Sequence, residues 1–432
     1  MRIARACREL GLGTVAVYSS ADDSAHHARY ADDAVWIGKP SARDSYLNPA
    51  AIIDAAQQTS ADAVHPGYGF LADNADFAEM CEAAGLAWVG PSPEAIARAG
   101  DKAVARELAR EAGILIVPGT IGTVRVDEGL AVAEEIGFPT MVKAAAGGGG
   151  TGIRVARNAH ELREEFTAAA REARAAFGNA GLYVEKLIIR PRHVEVQVLG
   201  DQEGRVVHLY EREWSVQRRR QKLLEEAPAP AIDPATREQM ADAAVRLSAS
   251  LGYTSAGTIE FIVDAEGAFY FLEINTRIQV EHPVTEMLTG CDLAKEQVRI
   301  AAGEPLSFAQ ADIPRLGAAI EFRINAEDPD SDFRPFPGRI AELELPGGPG
   351  VRVDTAIYEG YEIPPFYDSL LAKLIVWGRD RNEAIARGRR ALQKFRIGGI
   401  KTTIPFHLRM LDDEAFQAGD YHTEYLTELG VA

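Results

Sequence analysis

The stretch GTIEFIVDAEGAFYFLEINTRIQVEHPVTE, residues 257–286, decides how this chain is read. Two apolar runs flank a turn at Ala265–Gly267, which predicts an antiparallel strand pair with Glu260 opposite Glu273. From Glu273 onward the polar residues keep a period of two: Glu273, Asn275, Arg277, Gln279, Glu281. That period predicts an extended chain with its polar row on one face. Two carboxylates and an amide suit a hard cation. An arginine, a second amide and a further carboxylate beyond them suit a small anion and a base. The pattern reads as a metal–phosphate centre beside an anion pocket, against the plainer alternative of a strand with one solvated face.

The rest of the chain is compatible with an enzyme of that kind. Its 432 residues are enough for two or three domains, and the apolar and charged fractions are those of a globular protein. A formal net charge of −18 argues against nucleic acid as the main partner. Basic residues still cluster locally, at Gln217-Arg-Arg-Arg-Gln-Lys222. Cys7, Cys81 and Cys291 are scattered, which disfavours a disulfide framework or a cysteine zinc site and fits a reducing, cytoplasmic setting. No signal peptide and no membrane-length apolar run is expected.

Residues 1–99 alternate short apolar runs (Thr14–Ser19, Ala34–Gly38, Ala63–His65, Ala87–Gly90) with helical patterns (Ala50–Thr59, Asn74–Gly85, Pro93–Gly113), which predicts a parallel α/β sheet. Arg2–Gly11 reads as a helix closing on a glycine; a strand is expected before it, so the chain is expected to be shortened at its N-terminus. His65-Pro-Gly-Tyr-Gly-Phe-Leu71 falls at a strand's C-terminal end, where open α/β sheets hold ligands. Residues 100–304 are expected to form the central domain, with a small unit at about 116–190 that carries a strand (Pro139–Lys143), a glycine loop, a second strand (Ile153–Arg157) and a helix (Ala159–Ala176). Residues 305–432 form a further α/β segment opening with Ala318–Asn325 and carrying helices near Arg381–Phe395 and Phe406–Phe416.

The glycine loop AAAGGGGTGI, residues 144–153, matches a dinucleotide fingerprint only formally, because a strand pattern rather than a helix follows it. It is no P-loop either, since Lys143 precedes the glycines. Strand, glycine loop and strand describe a hairpin lid whose backbone N–H groups can close over phosphates, with Lys143 at its base.

Lys143, the glycine loop, Glu185-Lys186, Glu260, Glu273 and Asn275 together resemble the ATP-grasp superfamily. HPGYGFL (65–71), PRHVEVQV (191–198), QRRRQKLLEEAPAP (217–230), EINTRIQVEHPVTE (273–286), EFRINAEDP (321–329) and PPFYDSLLAKL (364–374) resemble, more closely, the biotin carboxylase family. The likeness runs over nearly the whole chain. It implies an ATP-grasp fold with an N-terminal parallel-sheet domain, a glycine-loop lid and a C-terminal biotin-carboxylase-type domain. It implies ATP-dependent carboxylation of biotin by bicarbonate through carboxyphosphate. By this resemblance Glu260, Glu273 and Asn275 hold Mg²⁺ or Mn²⁺. Lys102, Lys143, Gly149 and Gly150 hold the phosphates. Glu185, Lys186, Leu187, Ile188, His193, Gln217 and Arg220 surround the nucleotide. Lys222, Arg277, Gln279 and the Val280 backbone bind bicarbonate. Glu281 is the base, which requires either a raised pKa or proton transfer coupled to phosphoryl transfer. Arg323 stabilises the enolate-like oxygen of biotin, and Tyr68 borders the biotin pocket.

The sequence departs from the family pattern at three places: the first strand and its Asn-Arg-Gly-Glu loop, Arg220 where histidine is common, and Thr151 and Ala146 in the lid. No Ala-Met-Lys-Met motif occurs, so biotin is expected on a biotin carboxyl carrier protein, with a carboxyltransferase choosing the final acceptor. A homodimer is expected, with no nucleic-acid or membrane partner. Two other readings share parts of the pattern. Another ATP-grasp ligase would have the carboxylates and lid but no need of RIQVEHPVTE with Arg323; an inactive scaffold subunit would keep the fold with an altered lid.

Overall fold

The computed structural model describes residues 1–120, 122–144, 153–177 and 181–431. Ala146, Gly147, Gly149, Gly150, Thr151 and Gly152, and with them the lid's phosphate contacts expected above, lie outside the described residues.

Eight antiparallel strands make one sheet in the spatial order Phe269–Asn275, Ser255–Val263, Arg192–Gly200, Val206–Arg218, Gln221–Ala227, Ala318–Asn325, Leu370–Gly378 and Val351–Thr355. The strand alternation explains why both faces are covered. Val194, Val196 and Val198 pack with Ile259, Phe261 and the helix Pro234–Ser250, through Met240, Ala244 and Leu247. The residues between them, Glu195 and Gln197, face the other way and are equally buried. On that second face the helix His282–Thr289 lies against Ala318–Asn325, with Val284 and Leu288 on Ala319, Ala227 and Ile375. Charged residues on a strand buried on both sides must be paired or hydrogen-bonded, and these line the site.

At its far end the sheet carries the helix Arg381–Lys394, packed through Leu392 on Phe322 and Leu374. The strand Gln221–Ala227 pairs directly with Ala318–Asn325, so strands on either side of residue 305 belong to one hydrogen-bonded sheet.

A three-stranded sheet, Arg154–Ala156, Thr140–Ala144 and Leu182–Lys186, stands apart with the helices Val126–Ile136 and Ala159–Phe177 on its core of Val142, Val184, Leu162 and Leu130. The strands and helix expected for the lid unit are present here.

In the N-terminal region the expected parallel strands form two separate pairs, Val15–Ser19 with Asp33–Gly38 and Ala63–Val64 with Ala87–Trp88. The helix Arg2–Glu9 ends in Gly11 at φ +74, as its sequence requires, and docks on Leu293–Ala301. Its Arg2 bridges Glu286 at 2.7 Å and Asp292 at 2.5 Å.

Three expectations are corrected. The helical pattern over 93–113 is two helices, Pro93–Gly100 and Lys102–Glu111, because the Asp101 carboxylate caps the N–H groups of Ala103 and Val104. The pattern over 406–416 likewise breaks at Asp413, which caps Phe416, giving Ile404–Asp412 and Glu414–Ala418. The polar row starting at Glu273 is strand only as far as Asn275. Residues 276–280 leave the sheet, and Glu281 is the N-cap residue of the next helix.

Candidate active site

The hairpin places Glu260 directly opposite Glu273, as its sequence predicts, and Glu195 opposite Glu260 on the other side. Like charges directly opposite on a sheet repel. Burial raises the Glu260 pKa, Lys222 opposes that rise, and Glu273 adds to it. Asn275 Nδ2 and Gln279 Nε2 both donate to Glu260 Oε1, at 2.9 and 3.3 Å. Two facing carboxylates with an adjacent amide oxygen are the donor set a hard divalent cation takes, and the cation would cancel their repulsion.

Lys222 is the centre of the arrangement. Its Nζ donates to Glu195 Oε2 at 3.0 Å, Glu260 Oε1 at 3.3 Å, Gln279 Oε1 at 3.2 Å and, more closely, Glu281 Oε1. Burial alone would lower its pKa, but the three carboxylates outweigh burial and hold it above its ordinary value. The other Glu281 oxygen accepts from Arg323 Nη2 at 2.9 Å, and Arg323 Nε donates to the buried Glu225 at 2.5 Å. Burial would raise Glu281, yet Lys222, Arg323 and Arg212 hold it well below the usual carboxylate range. Of the two alternatives for Glu281, a raised pKa is therefore corrected, because two cations sit on its two oxygens, and proton transfer coupled to phosphoryl transfer is the one left.

A layer beneath fixes these groups. Arg212, fully buried, donates to Glu195 Oε1 at 2.6 Å, Gln197 Oε1 at 2.6 Å and Thr285 Oγ1 at 2.9 Å. It ties the sheet to the helix that Glu281 begins. Lys373 Nζ donates to the Val280 carbonyl at 2.6 Å. Arg277 is held from the N-terminal region, by Asp73 Oδ2 at 2.6 Å, and also donates to Asn275 Oδ1 at 3.3 Å.

The lysine at the lid's base has a different setting. Lys143 Nζ lies 2.5 Å from Glu185 Oε2, whose other oxygen is taken by Arg106. Burial, with the charges of Arg106, Lys102 and Arg220, pushes Lys143 down to about 7. Lys102 and Arg220 thus lie near enough to act on its charge. Arg219 and Arg220 form the two-residue turn between their strands with φ values of +47 and +67, a left-handed pair that non-glycine residues adopt only under local constraint. His193 is pushed down to about 3 by burial and by Lys222, Lys143 and Arg220, so its ring is neutral. Among the described residues neither His193 Nδ1 nor Gln217 Oε1 has a partner, which leaves both open to a ligand. Lys186 turns away: its Nζ donates to the Gly137 and Phe138 carbonyls at 2.9 and 3.1 Å. The Leu187 N–H is taken by Pro139 at 3.1 Å.

Tyr68, 40% exposed, and Lys373 line a cavity of about 310 Å³, with Lys373 Nζ 5.8 Å from the Tyr68 ring. Lys373 is the register partner of Arg323, so Tyr68 sits on the Arg323 side of the site. Sequence reasoning gave no role to Glu195, Arg212, Trp214, Glu225, Asp73, Arg106 or Lys373. For Glu195 and Glu225 the available signal was a charged residue inside an apolar run, RHVEVQVLG and QKLLEEA.

A carboxylate-bearing antiparallel sheet faced by a three-stranded lid unit is the architecture of the ATP-grasp class. Within that class the chain matches the carbamoyl-phosphate synthase L chain ATP-binding domain over residues 101–309, the biotin carboxylase N-terminal domain over 1–96 and the biotin carboxylase C-terminal domain over 321–428. The chain belongs to the biotin carboxylase family. It is 56% identical over 428 residues to biotin carboxylase 1 of Bacillus subtilis, covering 99% of this chain and 95% of the relative. It is 49% identical to the small subunit of 2-oxoglutarate carboxylase from Hydrogenobacter thermophilus, over 99% of this chain and 90% of the relative. Its fold superimposes with a TM-score of 0.95 on the biotin carboxylase domain dimer of 2-oxoglutarate carboxylase from that same organism, solved with MgADP, ADP and bicarbonate. That pair is 49% identical, with 99% and 95% of the two chains covered.

Proposed function

We propose that this chain carboxylates biotin with bicarbonate at the expense of ATP, as the first half-reaction of a carboxylase. The observation that carries the reading is the shared hold on Lys222. One ammonium joins the metal-type carboxylate Glu260, the amide Gln279 and the carboxylate Glu281, whose second oxygen rests on Arg323. Metal, anion, base and biotin-side cation are thereby set within one network.

Glu260, Glu273 and Asn275 would hold Mg²⁺ or Mn²⁺, which neutralises charge on the phosphates when bound. Lys143, lying among cations with one shared carboxylate partner, is suited to a phosphate oxygen as a point charge. A bicarbonate oxygen attacks the γ-phosphorus, the bond to the ADP oxygen breaks, and the bicarbonate proton passes to Glu281. Glu281 is ionised and so able to accept. Its basicity rises as the incoming anion draws Lys222 away, which couples proton transfer to anion binding. Carboxyphosphate then releases carbon dioxide and phosphate. The phosphate takes the ureido proton of biotin, and the nitrogen attacks carbon dioxide. Arg323 is placed to bear the oxyanion that develops on the ureido oxygen.

The relatives include a biotin carboxylase and part of a 2-oxoglutarate carboxylase, so the acceptor is read as the choice of a separate carboxyltransferase. Biotin is read as arriving on a carrier protein, and the working form as a homodimer. Among the described residues no helix is long and apolar enough to cross a membrane. The test is ADP release from Mg-ATP with and without bicarbonate and free biotin. Release that needs both is expected; release indifferent to bicarbonate would overturn the reading.

A further inference from the structure

Trp214 touches both Lys222 and His193 and has no part in the chemistry above. It is 5% exposed, on the strand Val206–Arg218. Lys222 Nζ lies 4.0 Å from its ring centroid. The His193 ring centroid also lies 4.1 Å from the indole's, inclined by 57°. Its indole N–H has no hydrogen-bond partner among the described residues, so its face rather than its polar edge makes the contacts.

Among the described residues the hydrogen-bond partners of Lys222 are Glu195, Glu260, Gln279 and Glu281. An ammonium has three N–H groups, so they are already fully used. To bind an incoming monoanion, Lys222 must release one partner, and Glu281 is the one whose oxygen must be freed to take a proton. Carboxylate hydrogen bonds are directional and would be lost during such an exchange. Attraction to an aromatic face depends on distance from the ring and not on the direction of any one N–H, so it persists while the ammonium turns.

We propose that Trp214 is a positioning residue, its indole face being the seat on which Lys222 exchanges Glu281 for bicarbonate. This rests on the reading of Lys222 as a bicarbonate ligand. The same ring also meets His193, which the proposed function places at the nucleotide.

The test compares Trp214→Phe, which keeps an aromatic face without the indole N–H, with Trp214→Leu, which fills space without a face. ADP release is measured against bicarbonate at saturating Mg-ATP and biotin, with Lys222→Met alongside. The Leu variant should raise the KM for bicarbonate about 5- to 10-fold with a smaller change in kcat, and the Phe variant by no more than about 2-fold. Equal rises in both variants, or none in the Leu variant, would overturn the proposal. Lys222→Met decides the underlying reading separately: bicarbonate-saturable release retained there removes Lys222 as the anion's ligand. If the Leu variant does not fold, the unsubstituted protein and the Phe variant suffice. Bicarbonate added with Mg-ADP should alter indole emission in the first and not in the second. An identical change in both would equally overturn the assignment.

Discussion

Lys143 and Lys222 are both half-buried lysines in one site, and they are held in opposite ways. Lys222 is surrounded by Glu195, Glu260 and Glu281 and kept above its ordinary pKa. Lys143 pairs with Glu185, which it shares with Arg106, and is pushed down to about 7 by burial and by neighbouring cations against an opposing pull from Glu273. Burial acts on both in the same direction; the sign of the surrounding charge decides the outcome. Lys222 is part of a neutralised network that exists before any ligand arrives. Lys143 sits in an excess of positive charge that an anionic ligand would relieve. On the proposed function, Lys222 would serve both the fold and the bicarbonate, and Lys143 would meet the phosphates.

The largest effect should fall on the Lys222 network. Glu281→Gln should lower bicarbonate-dependent ADP release at least about 100-fold while Mg-ATP still raises the thermal midpoint. Near-normal turnover would remove Glu281 as the base. Removing the lysines themselves separates their roles in stability. Lys222→Met takes a shared cation from three buried carboxylates, leaving Glu260 without a charged partner while Glu195 keeps Arg212 and Glu281 keeps Arg323, and should destabilise the ligand-free protein by about 3–5 kcal/mol in urea unfolding. Lys143→Met removes a charge from a cationic pocket and should leave the midpoint unchanged or raised. Equal losses in the two would end the comparison.

Lys143→Met should instead weaken Mg-ATP by about tenfold, read as the KM for ATP, because a charged hydrogen bond to phosphate is lost. The smallest effect is a proton count. With Lys143 near 7 in the free protein and an ordinary value of 10.5, the unfolded chain binds more protons in that window. This group therefore destabilises the fold fully below pH 7 and progressively less as the pH rises toward 10.5. Bound phosphate favours the charged lysine, so Mg-ATP binding at pH 8 should take up a proton, and at pH 6 almost none. Calorimetry in two buffers of different ionisation enthalpy checks this, with Lys143→Met as the variant in which the uptake disappears.

How much of this was legible in the sequence follows the range of each interaction. The pairing of Glu260 with Glu273 was readable because one short turn sets it. The strand Ala318–Asn325 and the helix from Arg2 were readable from local pattern. The polar row past Asn275 had the right residues and the wrong geometry. Gln279 and Glu281 reach Lys222 because the chain leaves the sheet and turns into a helix, and a period of two carries no sign of that exit. Arg277 meets Asp73 across 204 residues, and Glu281 meets Arg323 across 42, so neither partner could be named from spacing. The split helices were in principle readable, since Asp101 and Asp413 are good N-caps, but an uninterrupted apolar pattern masked them. The opposed settings of the two lysines depend on which charges fold around them, which no local pattern contains.

The continuous eight-stranded sheet carries a consequence for taking the molecule apart. The connection between residues 305 and 317 joins two strand sets that meet along a single seam, Leu224–Ala227 against Ala319–Phe322. A chain nicked in that connection would be two fragments, each ending in a raw strand edge whose complement is the other. Coexpressed, they have the means to find one another through that seam, and Arg323 would then reach Glu281 from a separate polypeptide. The same seam makes either fragment alone a sticky object, because an open edge with no partner will pair with whatever strand it meets.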